Sequence, residues 1–260
     1  MSDLEVRTQE QIKAPSIFIG HGSPMNALEL NAYTKTWRLQ GKVYKPKAIC
    51  VISAHWLSEQ TEVSLGDPPK TIHDFYGFPK ELYAIKYPAP AVPASYIDIL
   101  FKAGLKITNT WGLDHGAWSV LKHMFPSADV PVFQMSINKN LSLKEHFEVA
   151  KTLSFLKSLG VMILCSGNIV HNLSFMKAEE NYSWAEDLEK KVVETMESEP
   201  EQILDLMQRE EFLIKLAHPT LEHIIPLIYF VGSSAGEGPA ITLCKGVEMG
   251  AISMASFLRP

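Results

Sequence analysis

The sequence contains few cysteines and none in a metal-binding pattern. The 260 residues include three, Cys50, Cys165 and Cys244, and no two of them form a C-x-x-C pair. The chain is therefore neither a disulfide-rich scaffold nor a cysteine-based zinc module. Because Cys50 and Cys165 lie in apolar runs typical of buried strands, we interpret them as core residues of a protein in a reducing compartment.

The sequence also lacks a long apolar stretch and a basic patch. Its longest apolar run, residues 224–231, contains Pro226 and is far shorter than the roughly 20 residues of a membrane-spanning helix. The polar amino-terminal residues contain no signal-peptide core. The net charge is −5 and the lysines and arginines are scattered, which argues against nucleic acid. We expect a soluble cytoplasmic protein, monomeric or a small homo-oligomer, with no membrane or nucleic acid as partner.

Short apolar runs alternate with helical patterns along the chain. Buried strands are predicted over residues 16–20, 48–53, 130–136 and 161–166, and helices over residues 96–104, 117–124 and 184–197. A further helix begins at the capping-box pair Ser142 and Glu145 and ends at Gly160. This order predicts one α/β domain with a mostly parallel or mixed sheet flanked by helices. We assign residues 1–14 to a flexible amino-terminal segment and residues 15–260 to the folded domain.

Histidines follow three of the predicted strands. His21, His55 and His171 come after the strands that end near residues 20, 53 and 166. Ligands of open α/β sheets gather beyond the carboxyl ends of the strands, so the active site is expected there. One such histidine alone is more often a hydrogen-bonded loop residue. Three of them together favour a histidine-bound metal, because neutral imidazole is the commonest metal-binding side chain.

His223 is the fourth metal-ligand candidate. Thr220 is the predicted N-cap, which places His223 in a first helical turn whose positive end keeps the imidazole neutral. Pro226 predicts a kink close by. His218 is a rival, but five residues correspond to about 140° of helix, so one helix cannot aim both at one metal, and we favour His223. Glu222 lies about 100° from His223 and is interpreted as a cap or a solvent-facing residue.

The remaining histidines have different interpretations. His115 lies in a predicted loop, and His73 is interpreted as a loop residue that orders its own segment. His123 and His146 lie on predicted helices beside charged neighbours, so we expect them to be solvated or partly packed.

Seven segments together resemble the DOPA-dioxygenase-type branch of the extradiol ring-opening dioxygenases. These are class III enzymes, typified by the catalytic subunit of protocatechuate 4,5-dioxygenase. The segments are residues 17–29, 51–56, 71–79, 113–118, 166–173, 219–223 and 247–254. The resemblance extends from about residue 15 to the carboxyl terminus, and the combination is specific although each segment alone is weak.

The resemblance implies a metal site and an acid/base residue. The family's metal ligands fall on His21, His55 and His223, and His171 matches the acid/base residue near the metal. His171 is also a candidate fourth ligand. The implied cofactor is Fe(II), although histidine sites bind Zn(II) more tightly in the general affinity order, so zinc is expected to compete for the site in purified protein.

The resemblance also implies a substrate pocket. His115 matches a pocket histidine that contacts substrate or oxygen, and Phe75, Tyr76 and Phe78 fall on a loop of the aromatic-binding wall. The implied activity is extradiol cleavage of a catechol-type, DOPA-like substrate with O2. Two alternatives stay open at this point. One is a zinc-dependent hydrolase, in which the metal activates water. The other is a non-catalytic protein that binds a metal or a small ligand.

Overall fold

A mixed sheet of eight strands forms the centre of the fold. In the computed structural model, which describes residues 13–260, the strand order is β4-β3-β5-β2-β6-β1-β10-β7, and β8 pairs with β9 separately. The strands are β1 Ser16–Gly20, β2 Ala48–Ser58, β3 Glu62–Ser64, β4 Lys106–Thr108, β5 Val132–Asn138, β6 Val161–Gly167, β7 Ile241–Cys244, β8 Val247–Glu248, β9 Ile252–Ser253 and β10 Ser256–Arg259. The predicted α/β class with a mixed sheet is confirmed.

Helices cover both faces of this sheet. They are α1 Ala32–Val43, α2 Lys80–Tyr83, α3 Ala94–Lys102, α4 His115–Met124, α5 Leu143–Thr152, α6 Ser154–Ser158, α7 Ser183–Ser198, α8 Ile203–Arg209, α9 Glu211–Ala217 and α10 Ile225–Ser233. Alternate residues of the central strands point to opposite faces. Cys50 and Ile163 pack in a core with α5, α7 and α10, whereas Val51 and Leu164 pack in a second core with α1 and α4.

The predicted helix after residue 142 is present, with one interruption. The Ser142 hydroxyl accepts from the Glu145 backbone N–H, and the Glu145 carboxylate accepts from the Ser142 N–H in return. The helix is divided at Leu153 into α5 and α6. Gly160 follows with φ of +82°, the left-handed conformation that glycine adopts without strain.

The central strands bring three predicted strand ends to one edge of the sheet. Strands β1 and β2 both run parallel to β6, so their carboxyl ends lie together. His21 directly follows β1, as predicted. His55 instead lies within β2, because that strand continues to Ser58 after its pairing with β5 is interrupted between Ile52 and Leu57.

One predicted local structure near the candidate site is wrong, and a second is confirmed in position. His115 is not in a loop but is the first residue of α4, which the Asp114 carboxylate caps. Thr220 is the N-cap residue of the turn that holds His223, as predicted, but that turn is a short 3-10 helix, Leu221–His223, before α10, and the Thr220 side chain makes no capping hydrogen bond. Pro226 lies in the first turn of α10, where a missing N–H breaks no helical hydrogen bond, so it does not kink the helix.

The described chain is ordered from just before the predicted domain boundary. Ala14 is buried, and its N–H donates to the Lys157 carbonyl at 3.0 Å. Residues 1–12 of the predicted flexible segment lie outside the described residues. Among residues 13–260, no helix combines the length and the apolar character needed to cross a bilayer.

Candidate active site

Five histidines line one cavity at the carboxyl edge of β1, β2 and β6. The cavity has a volume of about 390 Å³. Its histidines are His21, His55, His115, His171 and His223. The structure therefore brings together every histidine that the sequence singled out for the site, from five separate parts of the chain.

His21 and His55 approach each other most closely through their Nε2 atoms, which are 3.1 Å apart. The Nδ1 atom of His21 lies 3.0 Å from the Ser166 hydroxyl, and that hydroxyl donates its own proton to the Gly116 carbonyl at 2.6 Å. The Ser166 oxygen must therefore accept from His21 Nδ1–H. The His21 Nε2 atom then carries a lone pair directed towards His55.

Asp74 interacts with both His55 and His115. Its Oδ2 atom accepts a hydrogen bond from His115 Nδ1 at 3.0 Å and lies 3.4 Å from His55 Nδ1. Its Oδ1 atom accepts from the His115 backbone N–H at 2.9 Å. A carboxylate beside Nδ1 favours the proton there, which leaves the Nε2 atom of each ring as an acceptor.

His223 has a comparable arrangement with its own carboxylate. Its Nδ1 atom donates to Glu222 Oε1 at 3.2 Å, and its buried Nε2 atom has no hydrogen-bond partner among the described residues. The His171 ring stacks on the His223 ring, with centroids 3.5 Å apart and planes within 3° of parallel. The interpretation of Glu222 as a cap or a solvent-facing residue is therefore wrong, since it lines the cavity and holds His223.

Burial keeps these imidazoles neutral. Loss of hydration, reinforced by the neighbouring histidines, holds the pKa of His21 and of His223 well below the ordinary value of 6.5. Burial also lowers the pKa of His55 to about 3 and that of His171 to about 4. Burial opposes ionisation of Asp74, but hydrogen bonding and charge from His115 bring its pKa below the usual range.

The donor set fits a divalent metal. Neutral imidazoles suit iron and zinc among other first-row ions. Ring nitrogens of His21, His55 and His115 lie within 4.8 Å of one another. The buried His223 Nε2 atom has no hydrogen-bond partner among residues 13–260, and an unsatisfied buried acceptor costs about 1–3 kcal/mol. A cation among the rings would remove that cost. The ring nitrogens of His21, His55 and His115 lie close enough to share one ion, and the His223 ring lies beside them, with its centroid 5.0 Å from that of His55 and 5.7 Å from that of His21.

Two of the three predicted wall aromatics line the cavity. Phe75 and Phe78 are part of its lining, whereas Tyr76 is not and is 92% exposed. The chain bends at Gly77, whose φ is +79°, and on either side of this bend Phe75 and Phe78 face the same cavity while Tyr76 faces solvent. The wall in this structure is therefore built without Tyr76.

The other histidines lie away from the cavity lining. His218 is buried with Nε2 2.6 Å from the Ile169 carbonyl, and His73 Nε2 lies 3.0 Å from the Ile85 carbonyl. His123 and His146 are both buried, so the expectation that they are solvated or partly packed is wrong. His123 bonds the Asn26 carbonyl and His146 bonds the Tyr229 hydroxyl, contacts that satisfy one ring nitrogen each.

Sequence reasoning missed the two carboxylates that hold the histidines. Asp74 is separated from His115 by 41 residues, and no local spacing connects them. Glu222 adjoins His223, but neighbours on a helix lie about 100° apart, so the spacing does not predict that the two side chains interact. The available signal was proximity in sequence to predicted site residues, since Asp74 precedes Phe75 directly.

Comparisons with known proteins identify the same family. The family described as the catalytic LigB subunit of aromatic ring-opening dioxygenase matches residues 18–245. A "4,5-DOPA dioxygenase extradiol" of Escherichia coli is 40% identical, over 94% of each chain. One of Beta vulgaris with the same name is 35% identical, over 96% of this chain and 97% of its own.

A solved structure agrees with the fold. The crystal structure of an uncharacterized Escherichia coli protein superposes with a TM-score of 0.80 at 35% identity, covering 95% of this chain and 100% of that chain. The family match spans most of the chain, and the two named relatives cover it nearly completely. The chain therefore belongs to the LigB family of aromatic ring-opening dioxygenases and is an extradiol ring-opening dioxygenase.

Proposed function

We propose that this enzyme cleaves a DOPA-like catechol with O2 at a divalent metal held by His21, His55 and His223. The relatives named 4,5-DOPA dioxygenase extradiol support the substrate class. The observation that carries the proposal is the 3.1 Å approach of the His21 and His55 Nε2 atoms, with Ser166 accepting from His21 Nδ1–H and the Asp74 carboxylate 3.4 Å from His55 Nδ1. Two lone pairs held face to face need a cation between or beside them.

His223 is our choice of third ligand over His115. The His223 Nε2 atom is buried without a partner in the part of the chain that the structure describes, which favours a bond to a metal. His115 also offers a ring nitrogen close to His21 and His55, but its ring lies edge-on to Phe75 with centroids 5.7 Å apart. That contact with the aromatic wall favours a role for His115 towards substrate.

The proposed cofactor is Fe(II), which when bound would supply the redox chemistry with O2 that neutral imidazoles cannot. The ligands are uncharged, so a catechol whose hydroxyls ionise on binding would offset the charge of the ion. His171 is proposed to take a hydroxyl proton on a ring nitrogen as general base. Its low pKa keeps it unprotonated before substrate arrives. Whether it also serves as a fourth ligand stays a prediction.

His115 is proposed to contact the substrate separately from His171. Its Nδ1–H is bound by Asp74, so Nε2 is the atom available for substrate. There it would steady a developing oxyanion or return a proton as the ring opens. The product of cleavage beside the two hydroxyls is a semialdehyde acid.

The lining of the cavity bears on the choice of catechol. Apolar side chains, among them Phe75, Phe78 and Ile252, suit the aromatic ring. The described lining contains the carboxylates of Asp74, Glu222 and Glu248 but no lysine or arginine. Asp74 and Glu222 already hold histidines, whereas Glu248 accepts a hydrogen bond, among the described residues, only from the Tyr33 side chain beside it and is the carboxylate nearest to being available for substrate. We propose that it favours catechols that carry an ammonium group over purely anionic ones.

The test of the proposed function is anaerobic loading with Fe(II), followed by oxygen and a panel of catechols. Oxygen uptake with a yellow product would support ring cleavage. Firm metal retention with no oxygen uptake for any catechol would contradict it, and cleavage of esters or amides by the Zn(II)-loaded protein would point to a hydrolase instead.

A further inference from the structure

One carboxylate lies between two histidines that have different proposed tasks. Asp74 Oδ2 is 3.0 Å from Nδ1 of His115 and 3.4 Å from Nδ1 of His55, whose rings are 4.0 Å apart by centroid. Of the two, His55 is a proposed metal ligand and His115 a proposed substrate contact. A single side chain thus faces the Nδ1 edge of both rings.

The Asp74 carboxylate is itself held in a fixed orientation. Its second oxygen, Oδ1, accepts from the backbone N–H of His115 at the start of α4, at 2.9 Å. The carboxylate therefore cannot rotate without losing that bond. Both of its oxygens act only as acceptors, so each facing Nδ1 must carry the proton for the contact to be favourable.

The segment that carries Asp74 is fastened to the same helix. The Ile72 N–H donates to the Leu113 carbonyl at 2.7 Å, and the Ile72 carbonyl accepts from Trp118 Nε1 at 2.8 Å. These bonds lie two residues before Asp74. They set the position of its backbone against the first turn of α4, which also carries His115.

The other nearby carboxylate is fully engaged elsewhere. Asp114 accepts from the Ser53 hydroxyl at 2.7 Å, from the Gln134 amide and from the Ala117 N–H at 3.2 Å. It caps α4, and its carboxylate forms no hydrogen bond with a ring nitrogen of His55 or His115. Asp74 is therefore the residue with the geometry to control both rings.

We propose that Asp74 is a positioning residue that fixes the tautomer and the ring orientation of His55 and His115 together. It directs the Nε2 lone pair of His55 towards the metal and that of His115 towards substrate. The division of tasks between the two rings rests on the proposed function. The control of their tautomers by Asp74 does not.

The direct test is the protonation pattern of the two rings. In full-length protein with 15N-labelled histidine, long-range 1H–15N NMR distinguishes Nδ1–H from Nε2–H, with His55→Gln and His115→Gln used to assign the signals. We expect Nδ1–H on both rings in the wild type. In Asp74→Asn, an amide N–H2 group facing the rings should move the proton to Nε2 in at least one of them.

A second readout is the affinity for Zn(II) alone, measured by titration against a chelator. Losing a carboxylate behind a ligating histidine typically lowers metal affinity about 10–100-fold, and we expect a fall in that range for Asp74→Asn. Asp74→Glu, which keeps the carboxylate, should recover part of the affinity. The exposed Asp98 provides the matched control, and Asp98→Asn should bind Zn(II) as the wild type does.

Turnover measurements separate the proposed effect of Asp74 on substrate, through His115, from its effect on metal binding, through His55. If Asp74 acts on catalysis through His115, then adding Asp74→Asn to His115→Gln should lower kcat no further, while Zn(II) affinity still falls. Absence of oxygenase activity in the wild type would defeat the proposed function and leave the NMR and Zn(II) measurements to decide the role of Asp74.

Two results would overturn the role of Asp74. One is Asp74→Asn protein with Nδ1–H retained on both rings. The other is Zn(II) affinity equal to that of the wild type. If Asp74→Asn does not fold, Asp74→Ser removes the carboxylate with a smaller side chain, and the same two results apply to it.

Discussion

The Nε2 atoms of His21 and His55 face each other at 3.1 Å, with a Ser166 hydrogen bond behind His21 and the Asp74 carboxylate 3.4 Å from His55 Nδ1. Ser166 accepts from His21 Nδ1, while Asp74 lies beside His55 Nδ1. Two acceptors at this distance repel each other unless a cation bonds both. Ser166 and Asp74, which lie at the Nδ1 edges of the two rings, therefore orient both Nε2 lone pairs for a metal.

The choice of third ligand is tested by comparing two histidine variants. His223→Ala should lose bound metal, because it removes a buried Nε2 atom that has no hydrogen-bond partner within residues 13–260. His115→Ala should retain close to one metal per chain and lose turnover. Elemental analysis after anaerobic purification gives the metal content. Metal loss in His115→Ala with full retention in His223→Ala would reverse the assignment.

Removal of the proposed base should separate chemistry from metal binding. General acid–base catalysis typically contributes about 10²–10⁴-fold, so His171→Ala should lose kcat in that range. Its ring stacks on His223 but is not one of the three proposed ligands, so metal content should remain near the wild-type value. Oxygen-electrode rates on Fe(II)-loaded protein provide the measurement. Turnover equal to that of the wild type would remove His171 from the mechanism.

The charge preference of the cavity is tested at Glu248. Dopamine should have a lower KM than 3,4-dihydroxyphenylacetate in the wild type, because the described lining offers carboxylates and no basic side chain. A partly exposed ion pair contributes up to about 1 kcal/mol, so Glu248→Gln should raise the KM for dopamine roughly fivefold. The KM for uncharged 4-methylcatechol serves as control and should not change. An equal rise in KM for dopamine and for 4-methylcatechol would contradict the ammonium contact.

Acid sensitivity should depend in part on His146, which is far from the metal site in sequence and buried against Tyr229. Burial lowers its pKa from 6.5 to about 4. A histidine with a lowered folded pKa contributes stability that is fully present above about pH 6.5 and is lost as pH falls towards 4. At roughly 1.4 kcal/mol per pKa unit, its share is at most about 3–4 kcal/mol.

The check is urea unfolding at several pH values between 7 and 4. His146→Gln has no proton to gain, so its free energy of unfolding should fall less steeply over this range than that of the wild type. Parallel pH profiles for the two proteins would show that His146 makes no such contribution.

The sequence predicted those parts of the fold that depend on local pattern. The strand before His21 and the cap at Ser142 follow from side-chain periodicity and from one short-range hydrogen-bond pair. The extension of β2 past His55 did not follow, because it depends on an irregular pairing with β5. Local signals specify an element, whereas its neighbours in the sheet decide where it ends.

The histidines of the site could be predicted from the sequence, but the residues that hold their rings in place could not. Strand ends and the family resemblance identified the five imidazoles, since carboxyl ends of parallel strands meet at one edge. Asp74 and Ser166 hold those rings from distant positions in the chain, and such contacts have no sequence period. Tyr76 shows that closeness in sequence is not sufficient either, since it adjoins Phe75 but does not line the cavity.

The most direct test of the account is a single-turnover experiment on Fe(II)-loaded protein mixed with DOPA and then with O2. We expect close to one O2 consumed per metal and a yellow semialdehyde product, with both lost in His21→Ala, whose Nε2 atom faces His55. Intact DOPA and no oxygen consumption in wild-type protein that retains its iron would contradict the account.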